Sequence, residues 1–90
     1  MRVAIVCQDK PGALQIRLDN RAAHLAHIQA SGVVEMAGPF LNPEGQMTGS
    51  LIVLEVAALA DAQAWAAADP YAKAGLFQSV SVTEWKKVVG

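Results

Sequence analysis

SLIVLEVA, residues 50–57, places four consecutive apolar side chains, two of them β-branched, ahead of a glutamate and a valine. Such a run favours a strand. Neighbouring side chains of a strand point to opposite faces, so this one carries apolar groups on both. The same holds near the N-terminus, where RVAIVC (residues 2–7) is apolar and β-branched and QDKPG (8–12) then stops the strand with a proline and a glycine.

Between these strands lies a helical pattern. Leu14, Leu18, Ala22, Leu25 and Ile28 recur at steps of three and four, which predicts a helix with that stripe as its buried face. The helix runs to about Ser31, with Gly32 as its stop. VVEMAGPF (33–40) reads as a second strand limited by Pro39, and LNPEGQMTG (41–49) has the proline, glycines and asparagine of a hairpin-like connection. Downstream of SLIVLEVA, the alanine-rich ALADAQAWAAADP (58–70) predicts a second helix ending before Pro70, with Trp65 as a core anchor. VSVTEW (80–85) alternates as a half-buried strand does. The order is strand, helix, strand, strand, helix, strand in a single domain spanning residues 1–90.

Two helices cover only one face of a four-stranded antiparallel sheet. With apolar residues on both faces of its central strands, the second face calls for a partner, and a homodimer packing sheet against sheet supplies one. A monomer with a somewhat less polar second face is the alternative.

Composition narrows the classes of function. The 90 residues are 53% hydrophobic and 17% charged, with a formal net charge of −1, far from the balance of a disordered chain. The seven basic residues are dispersed, so no basic stripe exists to follow a phosphate backbone, and nucleic acid is not an expected partner. The apolar stretch after Arg2 is too short for a signal peptide or a membrane span, so no membrane partner is expected. The lone Cys7 reads as a buried strand residue and suits a reducing cytoplasm, where this protein is expected to reside.

The candidate chemical groups cluster in two tracts. On the first helix Arg17, Arg21 and His24 share one flank, bordering the leucine stripe. A histidine there can act as an acid or base near neutral pH, or can sit on the surface bonded to a backbone carbonyl. Arg17 or Arg21 could hold a developing oxyanion; a solvated helix face is the simpler role for both. His24 and His27 stand three apart, but no third ligand at matching spacing supports a metal site, and His27 reads as solvated. In ADPYAKAG (68–75), Asp69 and Pro70 have the order of an N-cap followed by proline at the first helical position, in a turn closed by Gly75. The Asp69 carboxylate could also reach His24, fixing its tautomer and stabilising the imidazolium. Tyr71 could pack against the sheet or donate to a substrate oxygen. Ser50 reads as a strand-start residue, with pocket lining second. No nucleophile elbow, phosphate loop or dinucleotide fingerprint is present, and no cofactor is expected.

Taken together, QDKPGALQIRL, RAAHLA, AGPF, TGSLIV and AQAWAAADPYAKAGLF resemble the YCII-related family of small bacterial proteins over nearly the whole chain. The resemblance implies an α+β, ferredoxin-like βαββαβ fold assembled as a dimeric α+β barrel. It also implies His24 and Asp69 as a catalytic dyad, with Asp9, Ser50 and Tyr71 lining the same cavity. The implied chemistry is cofactor-free proton abstraction or elimination, of the lyase, dehydrochlorinase or isomerase kind, on a small cyclic or phenolic compound. A non-catalytic module that binds a small molecule or a protein partner is the competing expectation.

Overall fold

The computed structural model describes all residues, 1–90. The chain forms β1 (Arg2–Asp9), α1 (Leu14–Ser31), β2 (Val34–Leu41), β3 (Met47–Glu55), α2 (Leu59–Ala68), a single-turn α3 (Pro70–Lys73) and β4 (Phe77–Glu84). The four strands make one antiparallel sheet in the order β2-β3-β1-β4, which with the two long helices is the ferredoxin-like βαββαβ arrangement. No helix is long and apolar enough to cross a membrane.

Register explains which side chains form the core. Val3, Ile5 and Cys7 stand opposite Leu54, Ile52 and Ser50, so all six project from the same face. That face meets Ala62 and Trp65 of α2, and the apolar members of the cluster are essentially sealed. Cys7 is buried as expected, and Trp65 anchors α2. A smaller cluster of Ala13, Tyr71 and Leu76 closes the end of the sheet next to α3.

The opposite face presents Ala4, Val6, Leu51, Val53, Met36 and Phe40 from β1, β3 and β2, and Ser79, Ser81 and Thr83 from β4. No helix covers it. Met36 and Phe40 are 49% and 41% exposed, so the β2 side of this face meets solvent in the single chain, while Val53 is buried.

Two expectations about the elements are corrected. Pro39 does not limit β2 but lies within it, opposite Ser50. β2 is an edge strand, where a missing N–H removes no ladder bond from a second neighbour. The buried face of α1 is also not the leucine stripe. Leu18 and Leu25 are exposed, whereas Ala13, Arg17 and His24 face inward and Ile28 packs on the core. These four are also spaced at helical intervals, so periodicity alone does not choose between the faces. Specific polar contacts of Arg17 and His24 decide it.

The connections follow their composition. Gly32 ends α1 in the left-handed conformation at φ 67°, accessible to glycine without steric cost. In the β2–β3 hairpin the Asn42 side-chain oxygen accepts from the backbone N–H groups of Glu44 and Gln46, at 3.0 and 2.9 Å.

Candidate active site

α1, β2, β3 and α3 meet around a cavity of about 190 Å³. Its polar wall consists of Arg17, Arg21, His24, Ser50 and Tyr71; Leu25, Ile28, Ala37, Gly38, Pro39, Met47 and Ile52 complete it.

His24 comes from the inward face of α1, and its Nδ1 lies 2.8 Å from Asp69 Oδ1. The two side chains are almost wholly buried. The same Asp69 oxygen accepts from the backbone N–H of Tyr71 at 3.0 Å, capping α3 with Pro70 in its first turn. Capping and contact with His24 therefore coexist on one carboxylate. An ionised carboxylate only accepts, so His24 Nδ1–H is the donor and Nε2 is the basic nitrogen. Nε2 has no hydrogen-bond partner in the chain. It is also not sealed, since Trp65 Nε1 is the one side-chain nitrogen or oxygen that is both fully buried and unpartnered. Nε2 is thus the ring nitrogen available to the cavity.

Tyr71 organises this corner. Its ring stacks on the His24 imidazole with centroids 4.0 Å apart and 15° between planes, and the Arg17 guanidinium carbon sits 4.8 Å from the centre of the same ring. Burial pushes the Tyr71 phenol above its ordinary value, partly opposed by the positive charges of Arg17 and Arg21, so it remains a protonated donor at neutral pH.

Arg17 is 3% exposed, which corrects its expected place on a solvated face. Its Nε and Nη2 donate to the two Asp9 carboxylate oxygens at 2.8 Å each, and Nη2 also donates to Ser50 Oγ at 3.0 Å. Burial opposes the guanidinium charge, but the hydrogen bonds and negative charge of Asp9 outweigh it and hold the pKa above the usual arginine value. Asp9 therefore stands behind Arg17 and holds it, rather than lining the cavity as expected.

The remaining expectations divide. Ser50, Tyr71 and Arg21 reach the cavity wall together with His24. His27 is directed elsewhere: it is half-buried against the Trp65 ring, and its Nε2 lies 3.2 Å from the Trp65 carbonyl oxygen, which replaces the expected solvated role. Sequence reasoning offered Arg17, with Arg21, as a holder of a developing oxyanion but took a solvated face as its simpler role. Its one visible signal was a seven-residue spacing from His24, two helical turns along the same face.

A buried histidine–carboxylate pair beside a small cavity, within a ferredoxin-like fold, marks the chain as one of the small α+β proteins of this architecture. The chain belongs to the YCII-related family, whose domain model matches residues 1–86. It is 43% identical over 97 aligned positions to protein YciI of Escherichia coli, covering 98% of this chain and 99% of that one. An uncharacterised protein of Haemophilus influenzae is 38% identical over 99 positions, with the same coverage. Among solved structures, 5-chloro-2-hydroxyhydroquinone dehydrochlorinase (TftG) of Burkholderia phenoliruptrix, in complex with 2,5-dihydroxybenzoquinone, superposes with a TM-score of 0.86 at 36% identity, covering 96% of this chain and 94% of the other. An antibiotic biosynthesis monooxygenase shares the fold alone, with a TM-score of 0.56 at 12% identity.

Proposed function

We propose that this protein is a small, cofactor-independent enzyme of the cytoplasm, active as a homodimer, that uses His24 and Asp69 for proton abstraction or elimination on a small cyclic or phenolic metabolite. The observation carrying the proposal is the 2.8 Å contact between Nδ1 of His24, on the cavity wall, and Asp69 behind it, with Nε2 left open. Nε2 takes a proton from a ring carbon, and the bonding pair moves into the ring as an enolate. Either a leaving group then departs with its own bonding pair, or the imidazolium returns the proton at another carbon. Asp69 keeps Nε2 basic and stabilises the imidazolium in between. The cavity volume suits one substituted ring, since roughly 150 Å³ already holds benzene. The dehydrochlorinase activity of the 36% identical relative supports the elimination branch.

The test is turnover of chlorinated hydroxyhydroquinones and related ring compounds by the wild type, His24→Ala and Asp69→Asn, with circular dichroism confirming the fold. Loss of a positioned acid–base group lowers the rate by about 10²–10⁴-fold. Full turnover by a folded His24→Ala protein removes His24 from the mechanism. One observation favours a non-catalytic binding module instead: Asp69 Oδ1 also caps α3, a structural task in its own right. Under that second reading the wild type binds ring compounds without converting any of them.

A further inference from the structure

Three basic side chains stand around the cavity, and two of them have their own carboxylate. Arg17 is matched by Asp9, and His24, once protonated, by Asp69. Arg21 lies on the same wall, four residues after Arg17 and three before His24, and makes neither an ion pair nor a hydrogen bond within the chain. No acidic side chain lines this cavity. With His24 neutral the Asp69 charge behind it formally offsets Arg21, but no carboxylate contacts Arg21, whose exposed side chain is the one unpaired cation on the wall.

The hydrogen-bond inventory indicates where the missing charge would sit. The Arg17 guanidinium has five N–H groups, and those on Nε and Nη2 are spent on Asp9 and Ser50. Neither hydrogen on Nη1 has a carboxylate partner, and the other polar neighbour of the guanidinium is the Tyr71 phenol, which carries no counter-charge. Ser50 Oγ, equally buried, accepts from Arg17 and makes no other bond, so its own hydrogen remains free to donate. Two donors held in place by their other bonds thus face the cavity, while Ala37, Pro39 and Ile52 on its wall offer none from their side chains.

Resting on the function proposed above, we infer that the ligand is held as a ring oxyanion, its oxygen on Arg17 Nη1 and the Ser50 hydroxyl and its charge balanced by Arg21. Arg21 is then the residue that selects anionic over neutral ring compounds. When a proton moves from this bound anion to His24 Nε2, the imidazolium pairs with Asp69, and the added negative charge on the ring falls on the oxygen held by Arg17 Nη1 and the Ser50 hydroxyl beside Arg21.

Equilibrium binding tests this independently of turnover. The anionic probe is 2,5-dihydroxybenzoquinone, a vinylogous acid ionised at neutral pH; the neutral comparator is hydroquinone. Titration calorimetry at low salt is expected to show the wild type preferring the anion, with that preference falling about tenfold in Arg21→Gln, hydroquinone affinity unchanged and Arg21→Lys retaining most of it. Added salt is expected to weaken anion binding by the wild type more than by Arg21→Gln. An Arg21→Gln protein with undiminished preference overturns the inference. Full turnover by His24→Ala alongside a lost preference in Arg21→Gln overturns the base assignment and leaves the anion site standing. Failure of the folded wild type to bind either compound overturns both.

Discussion

Replacing Asp9 by alanine tests the polar half of the site through stability rather than activity. The Asp9 and Arg17 side chains are 6% and 3% exposed and share two hydrogen bonds of 2.8 Å, so water does not stand in when one partner is removed. Asp9→Ala leaves Arg17 charged, buried and bonded only to Ser50 Oγ. An orphaned buried charge of this kind costs about 3–5 kcal/mol, against about 0–1 kcal/mol for a surface pair. A chain of this length has a total stability on the order of 5–14 kcal/mol, so the loss is a large share of it. In urea denaturation followed by tryptophan fluorescence, the midpoint is expected to fall by at least about 1 M. The double variant Asp9→Leu/Arg17→Met removes both charges together and is expected to recover most of the lost stability. A cost below about 1 kcal/mol for Asp9→Ala, or a double variant no more stable than the single, refutes the view that Asp9 exists to hold a buried Arg17.

Two further outcomes follow from burial. Burial, with a smaller contribution from the Asp69 charge, raises the Cys7 thiol from 9.0 to about 12. The native thiol is therefore expected to resist thiol reagents at pH 8. Because the folded-state value is the higher one, the unfolded chain releases this proton first and stability declines as pH rises from about 9 towards 12, by about 1.4 kcal/mol at pH 10. A Cys7→Ala variant with the same alkaline decline counts against this origin. The bare half-sheet around Met36, Phe40, Leu51 and Val6 is the surface assigned to the proposed homodimer. Analytical ultracentrifugation at micromolar concentration is expected to give twice the 9.5 kDa chain mass for the wild type and a shift towards the monomer for Phe40→Glu, whereas a monomeric wild type throughout that range removes the dimer.

The fold was largely legible in the sequence because its determinants are local. β-branched runs mark β1 and β3, alanine marks α2, and Gly32 and Asn42 mark the turns that use their special conformations. The position of Pro39 was not legible, because a proline inside a strand becomes acceptable only once that strand is known to lie at the sheet edge. His24 and Asp69 were visible as chemical types, but their contact spans 45 residues of chain and depends on how α1 lies against the α2–α3 junction. Arg17 was assigned to solvent because an isolated arginine on a helix usually belongs there, and the long-range partners that invert this, Asp9 and Ser50, come from two other strands.

The inverted helix indicates why such a site persists. α1 has leucines enough for an ordinary apolar face, yet Leu18 and Leu25 lie outward while Arg17 and His24 lie inward. The buried polar or charged side chains are Arg17, His24, Ser50 and Asp69, and every one of them belongs to this site. Burying such groups is costly unless each finds a partner, and here each does: Arg17 with Asp9 and Ser50, His24 with Asp69. Stability alone does not call for this arrangement, because a buried ion pair is often matched or exceeded by apolar residues of similar volume. Nor does it account for His24 Nε2, unsatisfied by the chain, or Arg17 Nη1, without a carboxylate partner, beside a ring-sized cavity. Local rules of folding are broken at this site, and the atoms left over there are an imidazole nitrogen and two donors, the set that the proposed proton transfer to and from an oxygenated ring uses.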